Sequence, residues 1–330
     1  MRALAEAFPE HERILAAPRA LEPLAQLSGA IDRVVDTAPL QPLDPVLDRP
    51  EVGVDLHGRG PASHRVLLAG RPARLIAFFN EEIAESAGFP AWREDEHEVV
   101  RWCRMLSGHG IQSDPSRLDL PAISLPGFST SAGATVVHPG AAYPARQWPA
   151  TRWAAVVRAQ REAGREVVVT GRPDEVTLAG EVARRGGLDD GMVLAGRTGL
   201  MELAAIVSAA GRVVSGDTGI AHLATALRRP SVILFGPTPP ALWGPPPDRP
   251  WHIPIWKGRR GDPNASSPDP GLLEISVDEV LDALHRLSST AISRHPPAKQ
   301  DNESGRSIAF SSFEPGLPLS RLHKMRSNGR

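Results

Sequence analysis

The sequence predicts an α/β protein built on parallel strands and divided into two domains. Three observations predict it. Short apolar strands alternate with helical stretches, the strands end in Gly- or Pro-rich loops, and a charge-poor Pro/Ser/Gly stretch at 120–134 separates two runs of that alternation. At 330 residues the chain is long enough for two cores.

Taken in order, Met1 to Pro9 reads as a helix with Ala3, Leu4, Ala7 and Phe8 on one face. Strands follow at 13–17 and 33–36, with a helix through 21–27 between them, and a Pro-rich loop runs to Pro50. Val52 to Leu56 is a strand that ends in His57-Gly58-Arg59-Gly60-Pro61, with a helix over 63–69; residues 91–109 form another helix. The second run has strands at 135–138, 166–170, 192–194, 213–216 and 231–235, and helices at 153–162, 175–185, 200–210, 219–227 and 278–287. From about 290 the composition turns Ser-, Pro- and charge-rich, which reads as a disordered tail.

Composition narrows the function classes. A hydrophobic content of 41% with 23% charged residues is that of a globular protein, and a formal net charge of -1 gives no reason to expect nucleic-acid binding. The single cysteine, Cys103, excludes an internal disulfide and a cysteine-built zinc site. No apolar run reaches membrane-spanning length and the first residues lack a secretory pattern, so the chain is expected in the cytoplasm. Neither Gly53 nor Gly58-Arg59-Gly60 has the Gly-x-Gly-x-x-Gly spacing of a dinucleotide-binding dehydrogenase.

The most informative stretch is Val213 to Ala224, where a strand enters an Asp217-Thr218-Gly219 turn and then a helix. A helix start presents backbone N–H groups without intrahelical partners and a partial positive charge, so an anion at Gly219 to His222 meets aligned donors. Asp217 or Thr218 caps the helix, and the other is left for the ligand. The plainer alternative makes Asp217 only a cap and His222 only a helix residue. His138 to Ala142, Thr170 to Glu175 and Asp217 to His222 all follow strands of one sheet, and in an open parallel sheet ligands bind where such ends converge.

Gly216 to Ala224 with Phe235-Gly236-Pro237-Thr238, and His138-Pro139-Gly140-Ala141-Ala142 continuing to Arg146-Gln147-Trp148-Pro149, resemble the motifs of the family 9 glycosyltransferases, the ADP-heptose:lipopolysaccharide heptosyltransferase group. The resemblance spans roughly residues 1 to 290. It implies a GT-B architecture with two Rossmann-like domains facing across a cleft: an acceptor-side domain at 1–125, a linker at 126–134, a nucleotide-sugar domain at 135–290 and the tail at 291–330. It implies inverting transfer of a heptose or related sugar from a nucleotide-diphosphate sugar, with ADP the expected nucleotide, to a glycan or lipopolysaccharide-type acceptor. No metal and no cofactor beyond that co-substrate are implied; peripheral membrane contact is compatible with it.

By the same resemblance the donor is held by His138, Gly140, Ala141, Arg146, Glu175, Asp217, Thr218, Gly219 and His222. Arg146 stands where the family usually has Lys, and a planar guanidinium is not equivalent to an ammonium. Glu175 resembles the carboxylate that holds the ribose, although a first-turn Glu stabilising a helix start explains it equally well. Trp148 and Trp243 are read first as packing residues, with flanking of a base or sugar as the alternative. Arg59 and Ser63 are assigned to the acceptor. The family's first strand and its Gly-Asp loop, source of the catalytic base, have no counterpart here, so the acceptor domain is expected to be incomplete. Either the true start lies upstream or the chain is a catalytically impaired nucleotide-sugar-binding protein. Asp55 and His57 are the only candidates for the base in the first domain.

Overall fold

The computed structural model describes residues 1–126, 128 and 133–292, with side chains through 287. The first half runs α1 (Arg2–Ala7), β1 (Ile14–Ala17), α2 (Glu22–Gln26), β2 (Arg33–Asp36), β3 (Val52–Val54), α3 (Ala62–Ala69), β4 (Arg74–Ile76) and α4 (Glu98–Gly108). The second runs β5 (Thr135–His138), α5 (Ala150–Glu162), β6 (Val167–Val169), α6 (Val176–Gly186), α7 (Leu200–Ala209), β7 (Arg212–Gly216), α8 (Gly219–Ala226), β8 (Ser231–Leu234), α9 (Pro240–Trp243), β9 (His252–Ile255), α10 (Pro270–Glu274) and α11 (Val277–Ile292).

The second half is a five-stranded, all-parallel sheet in the order β6-β5-β7-β8-β9. Successive residues of a strand face opposite sides, so the Val runs feed two cores at once. Val137, Val169, Val214, Val232 and Leu234 pack against Trp153 and Val157 of α5, Val182 of α6 and Leu284 of α11. On the other face Val136, Val168 and Val213 meet Ile206 and Val207 of α7 and Ile220 and Leu223 of α8. The register pairs Val137 with Val214 and His138 with Ser215, and Gly216 with Leu234, so the carboxyl ends of β5, β7 and β8 finish level with one another.

Among the described residues the first half holds two separate parallel pairs, β1 with β2 and β3 with β4, where alternation alone predicts one sheet. Its core is Ile76, Phe78, Met105, Leu106 and Ile111, with Trp92 and Trp102 against Phe78. The segment that leaves α4 is strapped across the α7 and α8 face. Leu120 N–H donates to Ala226 O at 2.8 Å and Ile123 N–H to the Ser208 hydroxyl at 2.9 Å. Arg249, 9% exposed, ties the strap down: it reaches Asp119 at 2.7 Å and the carbonyls of Ser116 and Thr225 at 3.1 Å each.

Several elements depart from expectation. The helix read at 91–109 starts only at Glu98, because Arg101 turns back and donates to the carbonyls of Arg93, Glu94 and Glu96, which holds those residues as a loop. The strand read at 192–194 is a single bridge between Val193 and Val169. Strands β4 and β9 and the short helices α9 and α10 were not expected. The segment 291–330, read as a tail, lies outside the described residues beyond Ile292, as do 127 and 129–132 of the linker.

Helices α5 and α6 meet at Gly186, where a β-carbon would come 2.5 Å from Val157 Cγ1. Overpacking a tight contact of this kind costs about 1–3 kcal/mol. Gly186→Ala should therefore lower stability by that amount in urea denaturation, and a change below about 0.5 kcal/mol would show that the two helices yield there.

Candidate functional site

Three loops at the carboxyl edge of the sheet bring the predicted donor residues together. After β5, His138 is 7% exposed; its Nδ1 lies 3.0 Å from the Thr170 hydroxyl and its Nε2 3.8 Å from Glu175 Oε2. Burial, opposed by the Glu175 charge and reinforced by Arg172, lowers its pKa, so the ring is neutral at pH 7. After β6, a turn at Pro173–Glu175 carries Glu175, whose Oε2 accepts from Arg172 N–H at 2.8 Å. Glu175 does make the capping contact of a helix start, yet it is buried, which a simple first-turn Glu would not be. A β-carbon on Gly140 would fall 2.1 Å from the Glu175 carboxyl carbon, so glycine there is what lets the carboxylate lie over the backbone. Ala141 is buried and its carbonyl accepts from Gln147 at 3.0 Å.

After β7, Asp217 is 7% exposed and its pKa is pushed up to about 6, chiefly by burial and against the opposing charge of Arg146. Neither Asp217 nor Thr218 caps α8 through its side chain; Thr218 holds the cap position, and its hydroxyl lies 3.5 Å from Gly216 O. The reading of Asp217 as a helix cap is thereby corrected: the carboxylate is buried without that job. Ala221 N–H donates to Thr218 O at 3.0 Å, while among the described residues the Gly219 and Ile220 N–H groups find no acceptor. Nothing stands within 4 Å of where a Gly219 β-carbon would be, so the start of α8 is open.

Arg146 comes from the turn Pro144–Arg146 and reaches this point from the side. Its Nη1 is 3.4 Å from Asp217 O, and its buried Nε has no partner among the described residues. The turn lies close on β7: a β-carbon on Gly216 would be 3.2 Å from Arg146 O. His222 is exposed by area, but protein crowding lowers its pKa, burial first and His97 second. Chemically the edge offers two unengaged amides and a guanidinium for an anion, with carboxylates on either side for hydroxyl groups.

Other predicted residues fall elsewhere. Trp148 is 2% exposed, with its indole N–H on Ile275 O at 3.1 Å, and so it packs. In the first half Asp55 is 2% exposed; one carboxylate oxygen accepts from His57 N–H at 2.8 Å and the other is 2.7 Å from His64 Nδ1. His64 Nε2 is 2.8 Å from Phe78 O. Both acceptors lack hydrogens, so both ring nitrogens of His64 donate and the ring is an imidazolium paired with Asp55. Burial works against both charges, but the hydrogen bonds win, lowering the Asp55 pKa and raising that of His64. Ser63 is buried and its hydroxyl also serves Asp55. Asp55, read as a candidate base, and Ser63, read as an acceptor ligand, are thus buried and already engaged in this pair. His57 and Arg59 stay exposed, Arg59 in an ion pair with Glu94 at 2.7 Å.

Two residues of the edge went unread. Ser215, the register partner of His138, is fully buried with a hydroxyl that finds no partner among the described residues; a lone polar residue after Val213-Val214 was the available signal. His97 carried no sequence signal at all.

Residues 111–257 match the family model of Glycosyltransferase family 9 (heptosyltransferase). Lipopolysaccharide heptosyltransferase 3 of Escherichia coli is 32% identical over 137 residues, 40% of this chain and 39% of that one. Lipopolysaccharide heptosyltransferase 2 of Salmonella typhimurium is 35% identical over 100 residues, 29% and 28% of the two chains. The alignments thus span well under half of those relatives. The solved structure of E. coli ADP-heptose lps heptosyltransferase II superposes with a TM-score of 0.69 at 20% identity, over 88% of this chain and 93% of that one. E. coli heptosyltransferase WaaC with ADP gives 0.61 at 20% identity, over 86% and 94%. The fold is of the GT-B type, and the chain is glycosyltransferase family 9-like.

The raised pKa of Asp217 has a consequence for stability. The unfolded carboxyl titrates near 3.8 and the folded one near 6, so the folded chain holds this proton more tightly and loses stability as pH rises through that window. The loss is complete above pH 6 and is on the order of 3 kcal/mol. Asp217→Asn should therefore raise the melting temperature at pH 7.5 and much less at pH 4.5; an equal shift at both would refute a buried, charged Asp217.

Proposed function

We propose that this protein is a glycosyltransferase that moves a heptose or related sugar from an ADP-linked donor to a glycan of the lipopolysaccharide type, in the cytoplasm. The observation that carries the reading is the open start of α8, with unengaged Gly219 and Ile220 amides, Arg146 beside it and a buried Asp217 that costs stability. A group kept at such a cost in a site open to ligand fits selection for binding. The family match adds the sugar-transfer class, and the names of the relatives add heptose, ADP and lipopolysaccharide.

In this reading the diphosphate lies on the Gly219 and Ile220 amides and on Arg146. Glu175 Oε2 accepts from Arg172 N–H and Oε1 lies 3.5 Å from Arg172 Nη2, so Oε1, held only by that longer ion pair, is the oxygen that accepts from a ribose hydroxyl. The acceptor oxygen attacks the anomeric carbon as the bond from that carbon to the diphosphate oxygen breaks, inverting the centre. The electron pair goes to the diphosphate, where the amides and the guanidinium stabilise it without a metal. Of the two first-half candidates for the base, His57 is the one exposed to take the acceptor proton.

Calorimetric titration with ADP, UDP and GDP tests the donor assignment. ADP should bind best, and Asp217→Ala and Arg146→Ala should each weaken it about 10- to 100-fold, the range for hydrogen bonds to a charged group. Unchanged affinity in both variants would remove the site. Sugar transfer from ADP-heptose should persist in excess EDTA; its loss, restored by a divalent cation, would overturn the metal-free step.

A further inference from the structure

Of the seven tryptophans only Trp243 is exposed, at 41%. Trp148 and Trp153 are buried against each other, and Trp92 and Trp102 pack on Phe78. Trp256 donates to the carbonyls of Gly236 and Arg259. An indole left in water forgoes its large apolar burial, so its placement calls for a reason. Trp243 ends α9, just beyond the Gly236-Pro237 loop that follows β8, and its ring lies 6.1 Å from that of His222, tilted by 55°. Among the described residues no acceptor engages its indole N–H.

The backbone around it is held. A β-carbon on Gly244 would lie 2.5 Å from Pro240 O, so the turn after Trp243 closes only with glycine. Gly244 O accepts from His97 Nε2 at 2.9 Å, and His97 Nδ1 accepts from Val99 N–H at 3.3 Å, so the ring is held at both nitrogens. The start of α4, from the first half of the chain, is thus tied to the residue next to Trp243. One face of the site ends in an anchored, water-exposed aromatic, one ring beyond the first turn of α8.

The geometry points to Trp243 as a platform for the hexose or heptose ring of the donor, a specificity-determining residue beyond the diphosphate contacts. It rests on the nucleotide-sugar reading above. With the diphosphate on the Gly219 and Ile220 amides, His222 stands one turn further along α8 and Trp243 lies outside it, where the glycosyl group must project to meet an acceptor. A π-face is negative and the C–H groups of a sugar face are weakly positive, so the two stack without a charged partner. The free indole N–H adds a donor for a ring hydroxyl.

The test compares each nucleotide with its sugar conjugate on the full chain: ADP with ADP-glucose, UDP with UDP-glucose, and GDP with GDP-mannose. For the pair the wild type binds best, Trp243→Ala should leave the nucleoside diphosphate within about twofold and weaken the conjugate about tenfold, the scale of one aromatic stack. Trp243→Phe should recover most of that loss. Equal loss for both ligands, loss for neither, or an effect confined to acceptor KM would overturn the platform. A wild type that binds none of the six would instead sink the nucleotide-sugar reading itself.

Discussion

Two close approaches of backbone to its neighbours hold the site together. Glu175 lies over Gly140, and the Arg146 turn lies against Gly216, each where a β-carbon would be crowded. Both rest on the level finish of β5 and β7, which pairs His138 with Ser215. A slip of one residue would turn Ser215 and His138 to the other face of the sheet and carry the loops with them. Register thus decides the chemistry as much as the residue types do, because the amides at the start of α8 are positioned by where β7 stops.

The first half is governed by a different constraint. Its Asp55–His64 ion pair is buried and fully hydrogen-bonded, and it joins the end of β3 to α3 and to the strand-end residue Phe78. Such a pair adds little net stability compared with apolar packing, but either partner alone would be costly. It fixes where the loop 57–60 leaves the sheet, and so where His57 and Arg59 are displayed.

Much of this was legible in the chain. The all-Val runs of β5, β6 and β7 announce strands buried on both faces, and the turn from Gly216 into α8 announces an anion site. What could not be read depends on partners distant in sequence. Asp55 looked like a ligand because its i+9 partner His64 carries no periodic signal, and Asp217 looked like a cap because burial is invisible in a local motif. The start of α4 was misplaced since the Arg101 side chain, not the backbone pattern, holds the preceding loop. Strand β4 is only three residues long, and β9 contains Pro254, a residue that argues against a strand.

That proline settles how the sheet ends. Ile255 of β9 and Trp251 just before it turn their carbonyls inward, accepting from Phe235 and Ser231, so the backbone groups of the intervening even-numbered residues face the outer margin. Pro254 has no N–H to offer there, and the His252 N–H is already given to Arg249 O. With both outward donors withdrawn, an extra strand meets carbonyls alone and cannot form a reciprocal ladder, which guards that flank against strand-by-strand association of the protein with its own copies.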